Sequence, residues 1–218
     1  MLRENQNNVV AERSIDEILK RFGYFVTESS EHFAEYVPWF IKKNRDDIIQ
    51  KYKIPLDEYI DRCELYSKRW KDYEKNEFKL DEKNLTRSNE YASYILDAIK
   101  FNNSVTVNAN VMNNGLIDNL PQFCCVAVHC LINSDVIFPQ KLGRLPEQLA
   151  ALMRTNINVQ LLTAEAAITK KKEHIYHAAM LDPHTAAELS INEIYDLSLI
   201  HISEPTRRTP ISYAVFCL

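Results

Sequence analysis

The pattern of apolar and polar positions predicts helices over the first third of the chain. Residues 14–17 read Ser-Ile-Asp-Glu, a serine followed three positions later by a glutamate, which is the form of a capping box and predicts a helix over 14–22. Gly23 follows directly, and glycine is the residue type that most often ends a helix. The same helical periodicity predicts helices over 45–52 and 56–78.

The helix predicted over 56–78 is strongly charged but carries one regular set of larger side chains. These side chains recur at intervals of three and four positions, which places them on one face of a helix: Tyr59, Cys63, Tyr66, Trp70 and Tyr73. A stripe of this kind is typical of a packing surface. We therefore expect this face to be buried against another element.

The middle of the chain predicts a small sheet. A helix over 88–100 precedes it, and the alternation of apolar and polar residues over 104–111 indicates a strand. The Asn-Asn-Gly sequence at 113–115 indicates a turn, and the continuous apolar run over 123–132 predicts a strand that is buried on both faces. The two strands are expected to form one antiparallel or mixed sheet. Because 146–196 is almost wholly helical in its pattern, the predicted fold class is α+β, dominated by helices.

Composition and charge exclude several classes of protein. A net charge of -4 over 218 residues, with no basic face, argues against a nucleic-acid partner. The chain has no run of about 18 apolar residues, so no membrane partner is expected, and its first residues lack the apolar stretch of a signal peptide. Five cysteines do not suggest the disulfide framework of a secreted protein. We therefore expect a cytoplasmic protein.

The chain is poor in glycine. Its three glycines are Gly23, Gly115 and Gly143, and their spacing cannot form the glycine-rich loops that hold the phosphates of nucleotides. No dinucleotide-binding loop is therefore expected within this sequence.

The densest group of polar side chains lies between two apolar segments, at Thr27, Glu28, Ser29, Ser30, Glu31 and His32. Burial of a polar group costs roughly 1–3 kcal/mol unless hydrogen bonds satisfy it. A sugar would supply such bonds through its hydroxyl groups and would stack its C–H face on an aromatic side chain such as Tyr36 or Trp39. The alternative is a helix N-terminus, with Thr27 or Ser29 as the N-cap and Glu31 in the first turn.

Several runs of sequence closely resemble one family of glycosidases and occur in the same order as in that family. The first run is RFGYFVTESSEHFAEY over 21–36. The family is the α-galactosidase (melibiase) branch of glycoside hydrolase family 4, and the chain resembles only its C-terminal part, from about residue 15 to residue 197. The other matching runs are 52–59, 90–93, 114–121, 149–153, 155–160 and 176–187.

The resemblance implies a division of the chain into three parts. Residues 1–13 form a divergent N-terminal segment, and residues 14–197 form the C-terminal domain of family 4. The N-terminal Rossmann domain of the family is absent from this sequence. Residues 198–218 resemble a translation of the synthetic adaptor DNA used to prepare sequencing libraries, so we expect a non-native and poorly packed tail.

The resemblance also implies cofactors and partners. Members of the family are intracellular homo-oligomers that require NAD and a divalent metal, usually manganese (Mn²⁺). Both are bound mainly by the missing N-terminal part, so no cofactor-binding or metal-binding residue is expected in this chain. The implied substrate is an α-galactoside such as melibiose. The isolated chain is expected to be inactive.

The implied mechanism needs a base in this part of the protein. The cofactor takes a hydride from sugar carbon 3, a base removes the proton from carbon 2, and the substituent on carbon 1 is eliminated. Related enzymes use a tyrosine in an Arg-x-x-x-Tyr segment, a spacing that Arg87 and Tyr91 share. A tyrosine hydroxyl serves as a base only where positive charge stabilises its anion, and Arg87 or a metal-bound substrate would supply that charge. Glu28 is the second candidate, and a buried aromatic on an amphipathic helix is the alternative for Tyr91.

Motif matches assign the remaining candidate site residues to substrate binding: Thr27, Ser29, Ser30, Glu31, His32, Arg87, Asn113 and Asn114. For Asn113 and Asn114 an ordinary β-turn is the alternative. Two other functions stay open. One is α-glucosidase or α-glucuronidase specificity within the same family, and the other is a stand-alone carbohydrate-binding or interaction module.

Overall fold

The computed structural model describes residues 14–56, 58–75 and 90–203. They divide into two compact units, the first built from 14–54 with 148–203 and the second from the described part of 55–147. The helices in chain order are α1 (Ser14–Phe22), α2 (Ser30–Tyr36), α3 (Asp46–Tyr52), α4 (Glu58–Lys75), α5 (Ala92–Phe101), α6 (Glu147–Thr169), α7 (Lys172–Leu181), α8 (Pro183–Glu188) and α9 (Ile191–Ser203). The strands are β1 (Val105–Met112), β2 (Cys125–Ile132) and β3 (Ile137–Pro139).

Helix α1 has the predicted bounds, but the predicted capping box is wrong. Gly23 ends the helix in a left-handed conformation with φ of 77°, and its N–H donates to the Leu19 carbonyl at 3.0 Å. The Ser14 hydroxyl instead donates to the Ser30 carbonyl at 2.7 Å, and Glu17 forms ion pairs with Lys20 and Arg21. Ser14 therefore joins α1 to the start of α2.

The core of the first unit lies among its first three helices. Its buried members are Ile15, Ile18, Phe33, Ala34, Val37, Phe40 and Ile54. Leu152 packs against this cluster from α6, and the Asn156 side chain on the same helix donates to the Tyr36 carbonyl at 3.2 Å. Glu188 on α8 accepts from the Lys43 N–H at 3.0 Å and forms an ion pair with Lys42. These contacts hold the C-terminal helices on the N-terminal ones.

The second unit contains a three-stranded antiparallel sheet in the order β1-β2-β3, which confirms the predicted α+β class. Strand β3 was not predicted from the sequence. The prediction that residues 123–132 are buried on both faces is wrong, because burial alternates along β2 and Phe123 is 75% exposed. Helix α5 contacts β1 and β2 and buries Ala98, so one face of the sheet is covered and the other is open within this unit.

The predicted packing face of α4 is exposed, which corrects the expectation from the sequence. Tyr59, Tyr66, Trp70 and Tyr73 are between 56% and 65% exposed, and Cys63 is exposed with them. Helical periodicity had shown only that these side chains share a face. The described residues leave that face open to solvent.

The C-terminal part of the described chain is helical, as predicted for 146–196. Helix α9 extends to Ser203, and Ser198 is buried, with its hydroxyl donating to the Tyr195 carbonyl at 2.6 Å. The rest of the predicted tail, 204–218, lies outside the described residues. Among the helices that are described, none is long and apolar enough to cross a membrane.

Candidate functional site

The polar cluster Thr27–His32 forms the start of α2. Ser29 is the N-cap, with φ of -66° and ψ of 157°, and its side chain accepts a hydrogen bond from the His32 N–H at 3.3 Å. The Glu28 carboxylate accepts from the Ser29 N–H at 2.8 Å, and Glu31 lies in the first helical turn. The helix N-terminus that the sequence offered as an alternative is therefore present, and Ser29 rather than Thr27 is its cap.

The cluster faces outward from a buried support. Phe33 and Ala34, which follow it directly, belong to the core of the first unit, whereas Thr27, Glu28, Ser29 and His32 are exposed. Most of its polar side chains can therefore reach a ligand while the backbone beneath them is fixed.

One hydroxyl in this cluster is shielded from solvent. Ser30 Oγ has no hydrogen-bond partner among the described residues. A shielded polar group without a partner costs roughly 1–3 kcal/mol. A water molecule or a small rearrangement on ligand binding would relieve that cost.

The electrostatics of the cluster favour a protonated histidine. The Glu35 carboxylate lies 3.1 Å from His32 Nδ1 and raises the pKa of the imidazole above its ordinary value, with burial opposing this effect and Glu28 and Glu31 adding to it. The stabilisation from this pair is present at low pH and is lost as the pH rises through the folded-state pKa. Burial, followed by the charges of Glu28 and Glu35, also raises the pKa of Tyr36.

Tyr91 lies at the N-cap of α5 and not in its first turn as predicted, because the helix begins at Ala92. Its carbonyl accepts hydrogen bonds from the N–H groups of Tyr94 and Ile95, both at 3.1 Å. The side chain is 45% exposed, so the alternative of a buried aromatic is wrong. Its hydroxyl donates to the Asn108 carbonyl on β1 at 3.0 Å.

The register of the sheet explains why that carbonyl is available. Asn108 pairs with His129, and the His129 carbonyl accepts from the Gln140 N–H at 2.8 Å, on the β3 side of β2. The backbone N–H and C=O of His129 therefore point away from β1. In its partner Asn108 the backbone N–H and C=O point away from β2, toward the free edge of β1. The Tyr91 hydroxyl meets the sheet at that edge.

Asn113 and Asn114 form the predicted turn, but they differ in environment. Asn113 is fully buried: its Nδ2 donates to the carbonyls of Ile117, Leu120 and Pro121 at 2.9–3.1 Å, and its Oδ1 accepts from the Ile117 N–H at 2.7 Å. Asn114 is exposed, with φ of 40°. The Asn113 side chain thus organises the loop, and Asn114 lies at its tip.

The candidate residues fall into two groups. Thr27–His32 lie together in the first unit, whereas Tyr91, Asn113 and Asn114 belong to the second. Arg87 lies outside the described residues, as does Ser88 at the start of the predicted 88–100 helix. Within the described ranges, no three histidine, cysteine, aspartate or glutamate side chains come together in a way that could hold a metal ion.

Sequence reasoning missed a cavity in the first unit. It has a volume of about 570 Å³ and lies between the C-terminal half of α1, the segment after α2, and α3. Trp39 was the sequence feature that could have indicated this cavity, but it was interpreted only as an aromatic residue near the polar cluster.

Comparisons with known proteins identify the domain. The family model described as "Family 4 glycosyl hydrolase C-terminal domain" matches residues 2–185. The α-galactosidase of Bacillus subtilis (strain 168) is 51% identical over 183 residues, which are 83% of this chain and 42% of that protein. The chain thus spans less than half the length of this curated relative.

Solved structures show the same fold. The Bacillus subtilis protein LplD superimposes with a TM-score of 0.73 at 20% identity, covering 84% of this chain and 41% of that one. A 6-phospho-α-glucosidase from gut microorganisms, in complex with NAD and Mn²⁺, gives a TM-score of 0.60 at 15% identity and covers 87% of this chain and 42% of that one. The chain therefore belongs to glycoside hydrolase family 4, in which it corresponds to the C-terminal domain.

Proposed function

We propose that this chain is the C-terminal domain of an α-galactosidase that cleaves α-galactosides such as melibiose. The observation that carries the proposal is the 51% identity to the Bacillus subtilis α-galactosidase over 183 residues. That match extends over 83% of the chain, so it takes in residues of both units. The proposed domain is 14–197, with 198–218 as a non-native tail.

In this proposal the Thr27–His32 cluster binds the sugar. Its hydroxyl, carboxylate and imidazole groups match the many donors and acceptors of a galactose ring. The Glu28 carboxylate is held by the Ser29 N–H at 2.8 Å, which fixes one acceptor for a sugar hydroxyl. Arg87 and Asn114 complete the proposed set, and Asn113 acts through the loop it holds.

Tyr91 is the proposed base that removes the proton from sugar carbon 2. Its ring is accessible, and its hydroxyl donates to the Asn108 carbonyl at 3.0 Å. That bond positions the oxygen in the neutral form, so action as a base requires the bond to break and the positive charge of Arg87 or of a metal-bound substrate to stabilise the anion. Glu28 remains the second candidate for this role, because it also carries an exposed oxygen within the proposed substrate-binding set.

The described residues do not fit NAD or manganese on their own. No group of three metal-binding side chains is formed within them, and the three glycines of the chain cannot build a phosphate-binding loop. These residues are therefore given no direct contact with NAD or manganese. Both are proposed to be held mainly by the other part of a full-length protein, and the isolated chain is proposed to be inactive.

The substrate assignment predicts a clear preference in the full-length protein. Supplied with NAD and Mn²⁺, it is expected to hydrolyse p-nitrophenyl α-galactoside with kcat/KM at least about tenfold above that for the α-glucoside and α-glucuronide. A site that hydrogen-bonds the carbon 4 hydroxyl in its galactose orientation loses those bonds when the hydroxyl has the opposite orientation. Removal of Mn²⁺ by chelation is expected to abolish hydrolysis. The release of p-nitrophenol measures both effects.

Other results of this assay would support the alternative functions. A preference for the glucoside or the glucuronide would establish one of the alternative specificities. Sugar binding without hydrolysis of any glycoside, in the presence of both cofactors, would favour a stand-alone carbohydrate-binding module. The 218-residue chain alone is the matched control for activity.

We also propose that the chain associates with further copies of itself. The α4 stripe is open, and the C-terminal helices expose further apolar side chains: Met153, Ile168, Leu181, Ile191 and Tyr195. Exposed apolar patches larger than a few hundred Å² are rare on monomers. Light scattering is expected to give a molar mass that rises with protein concentration, from 25.4 kDa for one chain. A constant monomer mass with no binding of a dye for exposed apolar surface would contradict this.

A further inference from the structure

The cavity of the first unit has one aromatic wall and several charged ones. Trp39 lines it and is 41% exposed, and its ring lies 5.9 Å from the ring of Phe22 at an angle of 36°. Phe40, the next residue, is buried and contacts Tyr52 edge-on at 5.0 Å between ring centroids. The indole is therefore held by a fixed backbone with one side supported by Phe22.

The charged lining comprises three cations, Arg21, Arg45 and Lys51, and two carboxylates, Glu17 and Asp47. Arg45 Nε and Nη2 donate to the two carboxylate oxygens of Asp47, each at 2.8 Å. Arg21 binds the Glu17 carboxylate, which is 12% exposed, at 3.0 Å. Lys20 and Arg21 lower the pKa of Glu17, so this carboxylate stays ionised. Both guanidinium groups face a carboxylate, and the Lys51 ammonium lies over the Tyr52 ring at 5.1 Å, so the lining offers several charged hydrogen-bonding groups and only a small net positive charge.

This combination selects an amphipathic ligand. An apolar molecule would leave ionised groups unsolvated, and an anion would meet guanidinium groups whose charge is already balanced. A pyranose ring has an apolar C–H face for an indole and hydroxyl groups on its rim for paired carboxylate and guanidinium groups. A volume of about 570 Å³ also lies within the roughly 300–1,000 Å³ range of small-molecule sites.

The cavity is distinct from the Thr27–His32 cluster. The cluster lies at the N-terminal end of α2, whereas Trp39 follows the C-terminal end of that helix. Seven helical residues span about 10 Å, which is longer than one sugar ring. None of the residues that line the cavity belongs to the cluster.

We propose that this cavity is a second saccharide-binding site, in which Trp39 stacks on a neutral pyranose and Glu17, Arg45 and Asp47 bind its hydroxyl groups. This site goes beyond the proposed active site. It does not require that the protein be a galactosidase.

The two tryptophans of the chain make the test direct. Trp70→Phe leaves Trp39 as the only tryptophan, and its indole N–H gives one resonance in a 15N-labelled sample of the 218-residue chain. Titration with methyl α-galactoside or methyl α-glucoside is expected to shift that resonance in a saturable way. Trp39→Ala is expected to weaken binding of the same sugars at least about tenfold, measured by saturation-transfer NMR.

Control variants separate this site from the cluster. Glu28→Gln is expected to leave the sugar-induced shift of the Trp39 resonance unchanged. Asp47→Asn is expected to weaken sugar binding, so that a higher sugar concentration is needed for the same shift. The proposal is overturned if neither sugar shifts Trp39 at the highest soluble concentration, if Glu28→Gln removes the shift, or if inorganic phosphate shifts Trp39 and the sugars do not. The Trp70→Phe variant leaves the cavity intact, so its titration tests sugar binding at Trp39 even if Trp39→Ala fails to fold. Galactosidase activity is measured separately, and its absence would not affect the conclusion about sugar binding at Trp39.

Discussion

Replacing Tyr91 by phenylalanine in the full-length protein is expected to lower kcat by about 100- to 10,000-fold, the range for loss of a general base. The KM is expected to change little, because the hydroxyl would act on the proton at sugar carbon 2 and not in ground-state recognition. The substitution also removes the hydrogen bond to the Asn108 carbonyl at 3.0 Å, which contributes about 1 kcal/mol to stability. Steady-state hydrolysis of p-nitrophenyl α-galactoside measures both kinetic constants.

Tyr94→Phe is the matched control for this experiment. Tyr94 lies on the same helix and is 40% exposed, close to the 45% of Tyr91, and it has no proposed role in the site. Its substitution is expected to leave kcat within a factor of about two. Exchange of the carbon 2 proton with deuterated solvent then identifies the base. Normal exchange in Tyr91→Phe together with lost exchange in Glu28→Gln would assign the base to Glu28.

Asn113→Ala is expected to destabilise the second unit by about 3 kcal/mol. The substitution removes four hydrogen bonds from a fully buried side chain, including the one that the Ile117 N–H donates at 2.7 Å. A buried donor left without an acceptor carries the full cost of its lost solvation. Urea denaturation monitored by circular dichroism measures the change in the free energy of unfolding.

Asn110→Ala provides the comparison, because Asn110 is an exposed asparagine on the neighbouring strand β1. That variant is expected to remain within about 0.5 kcal/mol of the original chain. Equal effects of the two substitutions would show that the buried hydrogen bonds of Asn113 do not hold the loop. Any loss of sugar binding in Asn113→Ala is expected to follow from the loss of loop structure.

Much of the helical architecture could be predicted because it depends on local signals. The apolar periodicity and Gly23 defined α1, and the alternation over 104–111 defined β1 to within one residue at each end. Strand β3 has only three residues and ends in proline, too short for any periodicity. The Asn133 side chain, which accepts from the N–H groups of Asp135 and Val136 at 2.9 Å, shapes the turn before it.

Burial was harder to predict than secondary structure, because it depends on what covers a surface. The apolar run in β2 suggested two buried faces, but its outward residues share a face with Asn108 and Asn110 of β1. Those two polar partners indicate an exposed face once the register is known. The stripe on α4 is a similar case, since a regular apolar pattern identifies a face but not its partner.

The local structure of the candidate residues could be predicted in part. The Thr27–His32 cluster could be identified from the sequence because its six polar residues are consecutive. The Tyr91 contact could not, since its partner is a backbone carbonyl of Asn108 that any residue would supply. The role of Asn113 was also hidden, because an Asn-Asn-Gly turn indicates exposed residues with positive φ, and here it is Asn114 that has the positive φ.

The exposure of α4 has a consequence for how stability is distributed within the second unit. Eighteen residues give a helix about 27 Å long, but most of the stability of a helix in a protein comes from packing of its apolar face, and the face of α4 is exposed. Its amide hydrogens are therefore expected to exchange through local opening at a small free energy. The β2 amides that are hydrogen-bonded to β1 or β3 are expected to exchange only when the sheet unfolds. The unit thus combines a rigid sheet that keeps Tyr91 in place with a helix that a partner can reshape at little energetic cost.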